Sequence, residues 1–146
     1  MQHLSVPSIL LLACGISCVA AADPVVADRG STDCQKHFAV QEKHFSGKTY
    51  TTWADFLGVT PSDAFSRVFA SVAKDGWNVI TADEAAKVIS ASAIGSGKTA
   101  PLTVVVDVHA NGSRAVATFR ASAGETPNEH AIRSRMCGYL SAVTAT

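Results

Sequence analysis

The spacing of apolar positions changes several times along this chain, and each change predicts an element. Leu4 to Val19 is an apolar run without a charged residue. Asp23 to Asp33 shows no periodicity and contains Pro24, Gly30, Ser31 and Thr32, which reads as a flexible lead-in. Gln35-Lys36-His37-Phe38 is then echoed seven residues later by Glu42-Lys43-His44-Phe45. That spacing puts both His-Phe pairs on one helical face, so Cys34 to Phe45 is expected to be a short helix docked through Phe38 and Phe45. Lys48 to Leu57, rich in Thr, Tyr, Trp and Phe and bounded by Gly47 and Gly58, predicts a strand. Thr60-Pro61-Ser62-Asp63 is a helix start: Thr60 can cap, Pro61 suits the first helical position, and Asp63 can reach back to the cap. Ala64, Phe65, Val68, Phe69 and Val72 share the apolar face of that helix, and Gly76 can end it in a left-handed conformation.

Four strands are expected next. Trp77 to Thr81 is the first, Asp83 to Ala86 the connection, and Lys87 to Ile94 the second, followed by a loop from Gly95 to Pro101. Leu102 to His109 and Arg114 to Ala121 form a hairpin around Asn111-Gly112, a dipeptide suited to a type I′ turn. With those two as the turn, Val108 faces Ala115, Val106 faces Ala117 and Val104 faces Phe119, all apolar. The other side pairs His109 with Arg114, Asp107 with Val116 and Thr103 with Arg120, and a slip of one residue would mix the two faces. Thr126-Pro127-Asn128-Glu129 repeats the capping pattern ahead of a last helix with the stripe Ile132, Met136, Tyr139, Leu140 and Val143. Cys137 projects beside that stripe. The sum is an α+β fold: an antiparallel sheet in the order strand, helix, four-strand meander, helix, with the helices packed on one face.

Composition adds a compartment to this picture. The apolar run is short for a membrane span and ends in Val19-Ala20-Ala21-Ala22, small residues of a signal-peptidase site, so residues 1–22 are expected to be a signal peptide cut after Ala21 or Ala22. No transmembrane segment is then left, and a lipoprotein anchored at Cys14 is the lesser alternative, since Leu12 makes a poor lipobox. Past the leader only Cys34 and Cys137 remain, and in an oxidising compartment they are expected to form a disulfide closing one domain over residues 34–146. The 12 basic and 12 acidic residues cancel, which leaves no electrostatic footprint for nucleic acid.

The stretch from Asp63 to Phe119 also carries Ala64-Phe65 opening a helix, Lys74-Asp75-Gly76-Trp77 closing it, Val79-Ile80 in a strand, Asp83 in a turn and Val88-Ile89-Ser90-Ala91 returning. In this it resembles the helix-grip repeats of the outer-membrane-assembly lipoprotein C family. The resemblance implies a helix-grip-like fold and a role in the bacterial cell envelope, without catalytic residues.

Candidate chemistry is sparse. Gly95-Ser96-Gly97-Lys98-Thr99 suggests a phosphate loop, but Ser92 stands where its first glycine belongs, and Pro101 and a β-branched strand follow where a helix should begin. His37 and His44 are too far apart on a helix to share an ion, which leaves His37, Glu42 and His44 a weak metal set and no metal or cofactor expected. Ser, Cys, His and acidic residues are present without a recognised catalytic setting, so no catalytic residue is assigned. Tyr50 and Phe56 alternate to one face of their strand and Trp53 to the other, and these aromatics are the candidate ligand-binding residues. The expected function is an exported, non-enzymatic binding or assembly module of the cell envelope, partnered by a protein or a small apolar ligand. A small secreted enzyme and a periplasmic immunity or inhibitor protein are the alternatives.

Overall fold

The structure, a computed structural model, describes residues 29–43, 47–92 and 101–145. The leader, Cys14, His44, Phe45 and the Gly95 to Thr99 motif lie outside them. The described chain runs α1 (Arg29–Lys36), β1 (Ala39–Lys43), β2 (Gly47–Leu57), α2 (Pro61–Lys74), β3 (Asn78–Asp83), β4 (Val88–Ser92), β5 (Pro101–His109), β6 (Gly112–Ala121) and α3 (Glu129–Ser141). The six strands form one antiparallel sheet in the order β1-β2-β6-β5-β4-β3, so the fold is α+β. No helix among the described residues is long and apolar enough to cross a membrane.

Alternation decides which face of the sheet the helices cover. Tyr50, Thr52, Ala54 and Phe56 of β2, Ala115 and Ala117 of β6, Val104 and Val106 of β5 and Ile89 of β4 are all buried. They form one core with Val68 and Val72 of α2 and with Met136 and Leu140 of α3. The neighbours between them in sequence, such as Trp53, Val105 and Val116, are half-buried on the opposite face. The Thr60 hydroxyl accepts from the Asp63 amide at 3.2 Å and donates to the Asp63 carboxylate at 2.8 Å, a reciprocal cap that starts α2. Gly76, with φ +82°, turns the chain out of α2 into β3.

Cys34 and Cys137 are joined, with Cα atoms 5.5 Å apart, which ties α1 to α3. Thr52 secures the bridge from beneath by donating its hydroxyl to the Cys34 carbonyl at 2.6 Å.

Four expectations change. The first helix lies earlier than its heptad-like echo suggests, on Arg29–Lys36, so part of the lead-in is helical and Ala39–Lys43 is an edge strand instead. Ladder pairing outweighs the echo there: Val40 pairs with Tyr50, and Glu42 pairs with Lys48 and forms an ion pair with it at 3.5 Å. The β5–β6 register is displaced by two residues, so that Val106 faces Ala115, Val104 faces Ala117 and Leu102 faces Phe119. Gly112 causes the shift. It is drawn into the ladder beside Leu57, where any Cβ would stand 2.0 Å from the Phe56 carbonyl oxygen, and the turn falls on Ala110 and Asn111, with Ala110 at φ +46°. An even displacement keeps each side chain on its face, but Val108, expected in the core, is 79% exposed. Finally, α3 begins at Glu129, capped by the Asn128 side chain accepting from the Ala131 amide at 3.1 Å, and not at Thr126-Pro127.

Candidate functional site

The three aromatics expected to bind a ligand do not converge. Tyr50 and Phe56 are 1% and 2% exposed beneath the helices, where they pack as core. Trp53 stands alone on the outer face of β2, and both of its ring faces are occupied. His37, which continues the β1 register past Ala39, stacks on the indole with ring centroids 3.4 Å apart and planes 12° from parallel. The Arg114 guanidinium lies over the same ring at 4.0 Å, and two groups that close must take opposite sides. Arg114 is fixed in turn by a bidentate pair to Asp55, Nε to Oδ1 at 2.6 Å and Nη2 to Oδ2 at 2.8 Å, and its Nη2 meets His109 Nε2 at 3.1 Å. Hydrogen bonding from Arg114 holds the Asp55 carboxyl below the usual carboxylate range. The cluster braces the outer face and offers no open ring for stacking.

Of the weak metal set, His37 is committed to this stack and Glu42 to Lys48, while His44 is outside the described residues. Among the described residues no three His, Cys, Asp or Glu side chains are grouped to hold an ion. Cys137 is bonded to Cys34 and is not a free nucleophile.

A different site forms where α2 ends. Asp75 and Trp77 flank Gly76, whose turn tucks Trp77 under α3. There the Trp77 indole Nε1 donates to the Tyr139 hydroxyl at 2.6 Å, and that hydroxyl donates to Asp75 Oδ2. Arg135 donates to the same oxygen from Nε at 3.0 Å and Nη2 at 2.7 Å, and its guanidinium lies 5.4 Å from the Trp77 ring centroid. Burial, with the Asp75 carboxylate beside it, pushes the Tyr139 hydroxyl up to about 12, so it remains a neutral donor. The same hydrogen bond, seconded by Arg135, lowers Asp75. The four side chains clamp the end of α2 to α3.

The clamp separates two spaces. On one side, Trp77, Leu102, Phe119, Ile132 and Met136 line a half-open apolar cavity of about 80 Å³ together with Arg135 and Tyr139. On the other, Arg135 and Tyr139 share an open hollow of about 480 Å³ with Ser71, Lys74, Asp75, Ser134 and Gly138. The apolar space can receive a small apolar group. Sequence reading placed Trp77 in a strand and Met136 and Tyr139 in a core stripe, but did not bring them together. The available signal was Asp75-Gly76-Trp77, a large aromatic immediately after a helix-ending glycine.

No family model matches the chain, and no curated protein matches it significantly. Among solved structures it is similar to the crystal structure of Ara h 8.0201, with 11% identity over 73% of this chain and 96% of that one and a TM-score of 0.39. At that distance the likeness bears on neither fold nor function.

Proposed function

We propose that this chain is an exported, non-enzymatic binding module that takes a small, largely apolar molecule into the crevice between α3 and the sheet. The observation that carries the reading is the 80 Å³ apolar cavity sharing Arg135 and Tyr139 with a polar hollow. Protein interiors are close-packed, so an apolar space bordered by a polar rim marks a place for a guest. It is about half the size of an engineered 150 Å³ cavity that admits benzene, which suits a short branched alkyl group. Export is supported by the apolar leader and by the buried Cys34–Cys137 bridge, which an oxidising compartment maintains. A place in the bacterial cell envelope fits both.

The chain has two tryptophans, so Trp53→Phe leaves Trp77 as the sole indole reporter. Titrating that variant with isoamyl alcohol should shift Trp77 emission saturably. Ile132→Phe, which fills the cavity, should abolish the shift while leaving the circular dichroism unchanged. An emission that stays flat, or a shift indifferent to Ile132→Phe, contradicts the proposal.

A further inference from the structure

We infer that the uncovered face of the sheet binds a second copy of this chain, with the two sheets stacked face to face about a two-fold axis that crosses their strands. This surface lies opposite the crevice, so the inference stands apart from the binding of a ligand there.

Alternation builds the surface in rows. Thr51, Thr118, Thr103 and Ser90 lie side by side across β2, β6, β5 and β4, and Trp53, Val116, Val105 and Val88 form the next row. These side chains are half-buried, and neither row contains a charge. Charge sits where the rows end. Beyond the valine row, Asp107 pairs in register with Arg114, whose own charge is met by Asp55. Beyond the threonine row comes Arg120, in register with Thr49. Asp107 and Arg120 are both exposed and join none of the ion pairs formed among the described residues. Across these four strands the face therefore carries an unmet negative charge at one end, an unmet positive charge at the other, and uncharged side chains between.

Such a face complements itself in one orientation. A two-fold axis lying between the sheets and crossing the strands between the two rows sets Arg120 of each copy against the partner's Asp107. It also lays the valine row of one copy on the threonine row of the other, so that methyl groups meet across the contact. An axis along the strands would instead oppose like charges at both ends. Shape agrees with charge: Pro101, Thr103, Thr118 and Arg120 line a hollow of about 220 Å³, and the first orientation brings the partner's Asp107 over it. The 12 basic and 12 acidic residues leave no net charge to hold two copies apart. Four strands over seven residues span roughly 20 Å in each direction. A footprint of that size buries on the order of 600 Å² per partner, the low end for a specific interface, which calls for a reversible dimer and not an obligate one.

Sedimentation equilibrium on the exported, disulfide-bonded chain reads the association directly. At roughly 100 μM the dimer should predominate, and raising the salt concentration should weaken it. Arg120→Glu and Asp107→Arg, both at exposed positions, should each raise the dissociation constant at least about tenfold, because each turns two attractive pairs into two repulsive ones. Mixed in equal amounts, the two variants should associate again, since each supplies the charge that the other needs. A chain that stays monomeric at that concentration overturns the inference and leaves the face to solvent or to a different partner. Dimers indifferent to both substitutions place the contact on another surface, and assemblies larger than a dimer place it at the sheet edges, β1 and β3; either result overturns the assignment to this face. A mixture no more associated than its components overturns the pairing of Arg120 with Asp107.

Discussion

Cys34 and Cys137 are 103 residues apart in sequence and 5.5 Å apart in space, and the bridge between them is the strongest single constraint on the unfolded chain. Closing a loop of that size is worth about 5 kcal/mol on the chain-entropy account. Cys137→Ala should therefore lower the melting temperature, a reductant should lower that of the unaltered protein to a similar extent, and applying the reductant to the variant should add nothing. Separate, additive losses in calorimetry would show that the bond is not the shared cause. Gly112 is constrained in a different way. Its φ is ordinary, but a Cβ there would meet the Phe56 carbonyl oxygen at 2.0 Å and the backbone of Gly58 at 3.0 Å. Backbone cannot yield as a flexible side chain can, so Gly112→Ala should cost on the order of 2 kcal/mol in chemical denaturation. An unchanged midpoint would mean that the end of β2 moves freely.

At the scale of elements, the clamp between the end of α2 and α3 ties stability to pH at both extremes. Asp75 has a folded value below its ordinary one, so its contribution is present above the ordinary carboxylate range and lost as pH falls through the folded value. Its side chain is 40% exposed, and water screens the effect, so only the direction is drawn. Tyr139 has its value raised from 10.0 to about 12, so its contribution is present below 10 and lost as pH rises toward 12. Denaturant midpoints measured against pH should show both arms, with Asp75→Asn reducing the acidic one, to which Asp55 also contributes, and Tyr139→Phe reducing the alkaline one. Arms unchanged in both variants would place the titration elsewhere. Most elements were legible in the sequence because local chemistry and burial agree in them: the Thr60 cap, the alternation of β2 and the valines of β5 all point the same way. β1 was not legible, because its five residues are all exposed and carry no alternation, while the His-Phe echo imitates a helix. The hairpin register was missed because Asn111-Gly112 is a good turn on its own, whereas Gly112 is needed against Phe56 of a strand far away in sequence. The crevice was illegible for the same reason. Trp77 and Tyr139 are 62 residues apart, and only the packing of α3 on the sheet makes them neighbours.

Across the whole molecule, the sheet has one face covered by helices and another braced by the His37, Trp53, Arg114 and Asp55 cluster. A ligand could in principle meet either face, and the account assigns it to the covered one, under α3. That claim is tested most directly by mapping amide and indole N–H chemical shifts in labelled protein during titration with isoamyl alcohol. The account predicts that the Trp77 indole and the backbone amides of Leu102, Phe119, Ile132, Arg135 and Met136 shift together and saturate with one affinity, while the Trp53 indole and the amides of Val105 and Val116 remain still. Shifts confined to Trp53, Val105 and Val116, or no saturable shifts at Trp77, would contradict it.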